Sequence, residues 1–300
     1  MGLAWWNTRL SPQRGDPASS HVRDLASEVV SWLMDHLGVH CLGLGEVTES
    51  DVQFLVKQVT SPRVRYWPTA VTAGSDRLRL GLLYDASVIG VLGSDDYLAA
   101  AADRTFRTGR AFELRVAQAD RSIHLVLSHW NSRQRLARGS PPRIKLGIDL
   151  RRIADELGEM YEEDPLLILM GDYNDEPFDE PLTDWLRASR DRELVRKKRG
   201  MFYNPFWRKL GEAMPHTADA YGAGTTGTCF DKQGVDTHWR TFDQMIFSRA
   251  FLCDSEWELR EDLVEIVDLS GLGAHGPELS AHFDHYPIIG AVQRTQRGGL

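Results

Sequence analysis

The sequence predicts a single α/β domain, and three observations support this fold class. Apolar runs of strand length recur from residue 3 to a closing segment at residues 288–292. Residues 122–170 have the pattern of a strand, a helix and a second strand. No linker, low-complexity tract or internal repeat divides residues 1–300. We therefore expect one domain with many apolar strands and helices between them.

Composition excludes several classes of protein. A net charge of −8 argues against a protein that coats nucleic acid non-specifically, although an enzyme with a local basic groove remains compatible. We find no apolar run long enough to cross a bilayer and no signal peptide. Cys41, Cys229 and Cys253 are widely spaced and fit reduced packing residues better than a disulfide or zinc framework. These features predict a cytoplasmic protein that does not bind membranes, and they leave its oligomeric state open.

The first half of the chain alternates strands with two helices. The helix predicted at residues 21–37 rests on apolar spacing at i, i+3, i+4 and i+7, and Gly38 ends it. A capping box that begins at Thr48 opens a second helix, through about residue 59. Short apolar or alternating runs predict strands at residues 3–6, 39–44, 63–67, 77–84, 87–92, 110–118 and 122–128.

The second half contains the most strongly apolar strand. Residues 146–161 keep one apolar face, which predicts a helix leading to a strand at residues 166–170 that is buried on both faces. A short helix is predicted near Leu182, and further strands at residues 241–247 and 288–292. Residues 200–238 show no period, and we expect a long loop of the kind that is usually functional or mobile.

Polar side chains follow the ends of several predicted strands. Asp172 and Asn174 leave the 166–170 strand two residues apart and so project to one side. In α/β folds such strand ends border ligand crevices, although Gly-Asp-Tyr-Asn alone also fits a simple turn. Glu46 fits either a solvated loop or a buried acid that needs a partner or a metal. The remaining polar residues of this kind are Asn7, His129, Asp243, Asp284 and His285.

Two segments are basic in an otherwise acidic chain. Residues 130–145 contain five Arg or Lys among sixteen residues and no acid, and residues 190–199 form a second basic cluster. The first segment fits a solvated loop or a phosphate-binding one, because the planar guanidinium suits phosphate. Ser132, Arg133 and Arg143 are its candidate phosphate contacts. Several carboxylates without a Cys/His cluster also favour a hard cation, Mg²⁺ or Mn²⁺.

Six short motifs, in this order, resemble the endonuclease/exonuclease/phosphatase superfamily, also called DNase I-like, across about residues 3–292. Each motif alone is weak, but the ordered set is specific. Phe283 stands where the family usually has Ser, and Gln244 where it more often has Tyr, and a bacterial subgroup with poorly defined substrates fits best. The motifs are Trp5-Trp6-Asn7, Gly45-Glu46-Val47, Ser128-His129-Trp130, Gly171-Asp172-Tyr173-Asn174, Phe242-Asp243-Gln244 and Phe283-Asp284-His285-Tyr286-Pro287.

The resemblance implies a four-layer α/β sandwich, with two mixed sheets packed face to face and flanked by helices. It implies a Mg²⁺- or Mn²⁺-dependent phosphodiesterase, first of all a nuclease acting on DNA or RNA. A phosphatase or phosphodiesterase for a small or lipid-linked phosphate is the alternative. An inactive binding module is a third, although every catalytic position is filled. The implied metal ligands are Asn7, Glu46, Asp172, Asn174, Asp284 and His285, and the implied catalytic residues are His129, Asp172, Asn174, Asp243 and His285.

Overall fold

Two large mixed β-sheets pack against each other, and helices cover their outer faces. The computed structural model describes residues 1–12, 16–69, 79–101, 104–159, 164–210, 227–232, 237–253 and 255–295. The strands are β1 (Gly2–Asn7), β2 (Val39–Gly45), β3 (Val64–Trp67), β4 (Leu80–Asp85), β5 (Ile89–Ala101), β6 (Arg104–Val116), β7 (Ile123–His129), β8 (Leu167–Asp172), β9 (Ala188–Ser189), β10 (Phe202–Tyr203), β11 (Cys229–Phe230), β12 (Trp239–Arg240), β13 (Asp243–Ser248), β14 (Trp257–Ile266) and β15 (Ile288–Arg294).

The three longest helices lie close to their predicted positions, and two shorter ones, at residues 192–197 and 276–282, were not predicted. Ser19 caps the first helix, and both bonds of the predicted capping box, between Thr48 and Asp51, are present at the second. The α-helices are α1 (Ser20–Ser31), α2 (Glu49–Gln58), α3 (Pro141–Glu159), α4 (Arg192–Lys197) and α5 (Gly276–His282). Short π- or 3₁₀-helical turns lie at Trp32–His36, Pro181–Trp185, Pro205–Lys209, Arg249–Leu252, Leu269–Gly271 and Gly273–His275.

Each sheet has a parallel pair of longer strands near its centre, and the short strands β9 and β10 form a further parallel pair at one edge. One sheet runs β14-β15-β1-β2-β4-β3, and the other runs β5-β6-β7-β8-β13-β10-β9. The neighbours β1 and β2 are parallel, as are β7 and β8. The carboxyl ends of each parallel pair therefore lie at the same edge of a sheet.

Alternating side chains divide the interior into three apolar layers. Leu3 and Trp5 of β1 point into the layer between the sheets, where they meet Met170 of β8. Ala4 and Trp6 point the other way, into a layer shared with α1 and α2. A third layer packs α3 against the outer face of the second sheet. These layers confirm the predicted four-layer α/β sandwich.

Some sequence-based assignments differ from the structure in extent, and one long strand was missed. The strands predicted at residues 87–92 and 110–118 are parts of a longer hairpin formed by β5 and β6. Asp95 and Asp96, in the middle of β5, interrupted the apolar pattern from which strands were predicted. The edge strand β14 was missed because its residues 258–262 are mostly charged. The predicted loop at residues 200–238 contains β10, a 3₁₀ turn and β11, and its residues 211–226 and 233–236 lie outside the described part of the chain. The ends of two further predicted segments, residues 77–78 and 160–161, lie outside it too.

The described helices are all too short or too polar to cross a bilayer. The three cysteines are free, and burial raises the pKa of Cys41 to about 12. Its thiol therefore remains protonated at neutral pH and serves as an apolar packing group.

Candidate active site

Side chains from both sheets meet at the edge where the parallel strands end. Asn7 closes β1 and its Nδ2 donates to Oδ2 of Asp172, the last residue of β8, over 3.1 Å. Trp5 donates its indole Nε1–H to Oδ1 of Asp243, the first residue of β13, over 2.7 Å. Both bonds cross between the sheets, so packing of the sheets brings together residues that are more than 160 positions apart in the chain.

Asp172, Asp243 and His285 form the centre of this cluster. The two aspartates are direct partners in the antiparallel pair of β8 and β13. His285 Nδ1 lies 2.8 Å from Asp243 Oδ2, and its Nε2 lies 3.9 Å from Asp172 Oδ2. Because Asp243 is fully buried and both its oxygens are engaged, it fixes the ring of His285.

His129 ends β7 directly beside Asp172. Its Nε2 lies 3.8 Å from Glu46 Oε1 and also 3.8 Å from Asp172 Oδ2. Burial, assisted by the positive charge of Arg107 and of His285, holds the pKa of His129 well below its usual value. The ring is therefore neutral at pH 7, and one of its nitrogens carries a proton that it can donate.

The backbone is strained at two of these residues. Glu46 has φ 56° and Asn174 has φ 51°, in the left-handed region that non-glycine residues rarely adopt. Asn174 is held there by its N–H, which donates to Asp172 Oδ1 over 2.8 Å, and by its Nδ2, which donates to the Trp130 carbonyl over 3.1 Å. Such strain clusters at functional sites, where the surrounding structure enforces it.

Burial perturbs the acids of this cluster. It raises the pKa of Asp172 to about 7, with a further contribution from Asp243, and it also raises the pKa of Glu46. Burial alone lowers the pKa of His285, whereas three neighbouring acidic groups hold it well above its usual value. One of the three, Cys229, has a pKa of about 11 because it is buried, so the two aspartates act on His285 at neutral pH.

The donor set fits a divalent cation with a preference for oxygen. Asp172, Asp243 and His285 bring potential ligand atoms within 4.8 Å of one another. Both oxygens of Asp243 are already bound and the imidazole of His285 is cationic, so Asp172 is the member of this trio that is left to bind a cation. Burial raises the pKa values of Asp172 and Glu46, and a bound cation would offset that cost by stabilising their charged forms. Asn7 and Glu46 extend the set with further oxygens. Asp284 lies outside the compact cluster: Arg9 binds its Oδ2 at 2.9 Å, and its buried Oδ1 has no hydrogen-bond partner among the described residues.

The predicted phosphate contacts separate into two kinds. Ser132 and Arg133 line the cleft in front of the cluster, and Arg133 also donates to the Asn174 carbonyl over 3.0 Å. Arg143 is wrong as a phosphate contact because its side chain is 0% exposed. Its guanidinium binds Asp175 Oδ2 at 3.2 Å together with backbone carbonyls, including that of Leu136 at 3.0 Å. Arg143 therefore holds the loop that follows β8.

A cleft of about 870 Å³ borders the cluster, because Asn174, Cys229 and Asp284 in its lining adjoin Asp172 and His285. Phe230, Trp239 and Tyr286 form one wall, with ring centroids 5.1 Å apart for the first pair and 5.3 Å for the second. Basic side chains of Arg9, Lys232 and Arg240 line it as well, next to acidic Asp231 and Asp284.

Several residues of the site gave no signal in the sequence. Trp5 resembled any other core residue of β1, and Arg107 lies in a strand that was predicted to start later. Thr228 accepts from the Asp243 N–H over 2.9 Å through its hydroxyl, and its carbonyl accepts from Tyr286 N over 2.7 Å. The Gly/Thr-rich stretch before Thr228 is visible in the sequence, but it does not indicate a role. The role of Thr228 depends on contacts with segments that are distant in the chain.

Both departures from the usual motifs have local partners. Phe283 packs edge-on against Trp6 at 4.9 Å, and the Trp6 indole donates to the His285 carbonyl over 3.0 Å. Gln244 accepts from Asn204 Nδ2 over 2.7 Å and donates to the Asp175 carbonyl over 2.7 Å. The first departure thus supports the His285 segment, and the second ties β13 to the loop after β8.

Solved structures with this fold include proteins with different substrates. The human Nocturnin catalytic domain with bound sulfate has a TM-score of 0.61 at 16% identity, covering 98% of this chain and 94% of that one. TDP2 of D. rerio, complexed with a single-strand DNA product, also has a TM-score of 0.61 at 16% identity, covering 98% of both chains. A mannosyl-6-phosphatase of Bacteroides thetaiotaomicron VPI-5482 has a TM-score of 0.61 at 12% identity, covering 98% of this chain and 99% of that one. At these identities the likeness establishes the fold alone.

Sequence comparison identifies the family. No protein of curated function matches the chain. The Endonuclease/Exonuclease/phosphatase family matches residues 18–262, which is most of the sequence. Members of this superfamily are phosphoester hydrolases that generally depend on a divalent metal. The chain therefore belongs to the Endonuclease/Exonuclease/phosphatase family.

Proposed function

We propose that the protein is a Mg²⁺- or Mn²⁺-dependent phosphodiesterase and that its substrate is DNA or RNA. The observation that carries the proposal is the Asp172–Asp243–His285 cluster beside a cleft lined with arginines and aromatic rings. The cluster supplies groups for phosphoester hydrolysis, and the cleft supplies groups for a polyanion with planar bases.

The residues have distinct roles in this proposal. Asn7 and Glu46, with Asp172, would hold the cation, which when bound offsets the charge that develops on the phosphate. Asp172 would orient the attacking water through its carboxylate oxygens and accept its proton. His285, kept cationic by Asp243, binds a phosphate oxygen from the opposite side.

The remaining predicted residues act around this reaction centre. His129, whose neutral ring lies beside Glu46 and Asp172, donates to the phosphate or to the leaving oxygen. The side-chain nitrogen Nδ2 of Asn174 is bound to the Trp130 carbonyl, which leaves its side-chain oxygen Oδ1 to fix the water. Asp284, which pairs with Arg9, would bind a second cation or a water of the first.

The cleft supports nucleic acid as the substrate class. Aromatic side chains stack on bases of any sequence, and Arg and Lys bind the phosphates between them. Phe230, Trp239 and Tyr286 provide the rings, and Arg9 and Arg133 provide cations near the cluster. The D. rerio relative with this fold was solved with a single-strand DNA product.

A phosphatase for a small phosphate is the second candidate. The net charge of −8 disfavours long polyanions, and acidic Asp231 and Asp284 share the cleft. The Bacteroides thetaiotaomicron relative with this fold is a mannosyl-6-phosphatase. Binding distinguishes the two, because a substrate that contacts several phosphates binds with a steep salt dependence.

The test is a substrate panel with matched variants. The purified 300-residue protein is incubated with plasmid, linear and single-stranded DNA, RNA and phosphomonoesters, with Mg²⁺ and with Mn²⁺. We expect cleavage of a nucleic acid by the wild type and by Asp120→Asn, an 88% exposed control, and loss of about 10²–10⁴ in rate for Asp172→Asn. Activity on monoesters alone would favour the second candidate. Full activity of a folded Asp172→Asn variant would refute the proposed site.

A further inference from the structure

A second group of side chains that carry potential metal ligands lies on the surface, on the side of the first sheet that α1 and α5 cover. His21 of α1 and Glu278 and His282 of α5 offer donor atoms within 4.8 Å of one another. His21 Nε2 lies 2.6 Å from Glu278 Oε1, and the rings of His21 and His282 are 6.0 Å apart. Two imidazoles and one carboxylate thus converge on one point between two helices.

The backbone prearranges these donors. Glu278 and His282 are four residues apart in α5, which places both side chains on the same face of the helix. His21 lies in the first turn of α1, where it faces that side of α5. His275, just before α5, has its Nδ1 3.4 Å from the other oxygen of Glu278 and is within reach as a fourth ligand.

The donor types distinguish this group from the candidate active site. Imidazole nitrogens with a single carboxylate suit Zn²⁺, Co²⁺ or Ni²⁺, whereas Mg²⁺ prefers oxygens. In a tetrahedral zinc site, metal–ligand distances of about 2.0–2.2 Å place ligand atoms about 3.3 Å apart. The ligand atoms of the three side chains, which lie within 4.8 Å of one another, reach a separation of about 3.3 Å through small side-chain rotations. The side chains of His21 and Glu278 are 59% and 40% exposed, so they have room to rotate.

We propose that His21, Glu278 and His282 form a binding site for a zinc-class transition metal that links α1 to α5. On binding, the ion replaces the proton that His21 and Glu278 share in their hydrogen bond. Helix α5 ends at His282, and the chain then continues directly to Asp284 and His285. A metal that links α1 to α5 would therefore also anchor the segment that carries these two residues. The proposal is independent of which phosphoester the protein hydrolyses.

The test measures binding of Zn²⁺ and Co²⁺ to the full chain, by calorimetry and by the visible absorption of Co²⁺, with excess Mg²⁺ present. His21→Ala is compared with His36→Ala, which removes an exposed histidine at the other end of the same helical segment. We expect His21→Ala to weaken Zn²⁺ binding at this site by more than about 100-fold, which exceeds the effect of removing a residue that only contacts a metal ligand. We expect His36→Ala to leave Zn²⁺ binding at this site unchanged. Glu278→Gln should behave as His21→Ala does.

A background variant separates this site from the active site. In Asp172→Asn, which alters the carboxylate cluster, the same Zn²⁺ equivalent should remain and should still be lost on adding His21→Ala. Equal zinc binding by His21→Ala and His36→Ala would overturn the proposal, as would loss of all zinc binding in Asp172→Asn. Because His21 is exposed, unchanged thermal unfolding of metal-free His21→Ala would show that the loss is not due to misfolding.

Discussion

Trp5 and Asp243 are joined by a hydrogen bond of 2.7 Å that crosses from one β-sheet to the other. The second oxygen of Asp243 lies 2.8 Å from His285 Nδ1. A tryptophan of the first strand thus holds the carboxylate that orients a histidine near the end of the chain. The chemistry proposed for His285 depends on this contact between the two sheets.

Trp5→Phe should weaken both the fold and the reaction. The substitution keeps an aromatic ring in the core but leaves one oxygen of buried Asp243 without its donor, at a cost of about 1–3 kcal/mol. Unfolding in urea should show a lower midpoint, and kcat should fall as His285 loses its fixed orientation. Trp185→Phe, at a site that is 42% exposed, is the control and should change neither. Wild-type kcat in Trp5→Phe would contradict the role of this bond.

Asp243→Asn should reduce turnover with little loss of structure. The amide has the size of the carboxylate, but it removes the negative charge that stabilises cationic His285 and offers no second acceptor of equal strength. We expect kcat to fall by about 10²–10⁴ while KM changes little. Steady-state kinetics beside circular dichroism measure this, with Asp120→Asn as the matched control. A folded Asp243→Asn enzyme with normal kcat would exclude Asp243 from catalysis.

Metal dependence should be coupled to pH. Chelation with EDTA should abolish hydrolysis, and Mg²⁺ or Mn²⁺ should restore it. With a pKa of about 7 in the ion-free protein, Asp172 is largely protonated at pH 6 and must release its proton when a cation binds. Affinity should therefore rise from pH 6 to pH 8, by at most about tenfold per pH unit for one proton.

Calorimetry in buffers of different ionisation enthalpy counts the released protons. The sign follows from the direction of the shift: a raised carboxyl pKa means that the folded, ion-free state holds the proton to a higher pH than the unfolded chain does. Above pH 8 the release should vanish. A cation affinity that is the same at pH 6 and pH 8 would show that Asp172 is not a ligand.

Arg143→Met should destabilise the protein rather than weaken substrate binding. It leaves Asp175 buried and without its nearest cation, and breaking such a pair costs about 3–5 kcal/mol. Arg9→Met, whose side chain is 59% exposed at the cleft, is the comparison, because its main expected effect is a higher KM. Urea unfolding and steady-state kinetics separate the two. The interpretation of Arg143 fails if its variant keeps wild-type stability and raises KM instead.

Trp239→Ala should weaken the binding of single-stranded DNA if bases stack in the cleft. Loss of one stacking ring costs about 1–3 kcal/mol, and the salt dependence of binding should not change because no phosphate contact is removed. Fluorescence anisotropy with a labelled oligonucleotide and EDTA-treated protein measures both quantities. Trp185→Ala serves as the control. Equal affinity of the two variants would indicate that the aromatic wall does not bind bases.

The sequence alone located most of the candidate site but not its connections. Asn7, Glu46 and Asp172 were found because polar residues at the ends of apolar strands are conspicuous, and parallel pairing brings such ends to one edge. The bond between Trp5 and Asp243 was not predictable, because it depends on how one sheet packs on the other. Arg143 was misassigned for a related reason: a run of positive charge does not reveal which side chain turns inward.

The hydrogen bonds that cross between the sheets have a consequence for how the protein loses activity. One residue along a strand is a step of about 3.3 Å, so a slip of one sheet by a single residue would break the bonds from Trp5 and Asn7. Both sheets would keep their own strand pairing after such a slip. Gradual denaturation should thus abolish activity while the far-UV circular dichroism spectrum is still native. The loss of activity would then report a change in sheet alignment that precedes global unfolding.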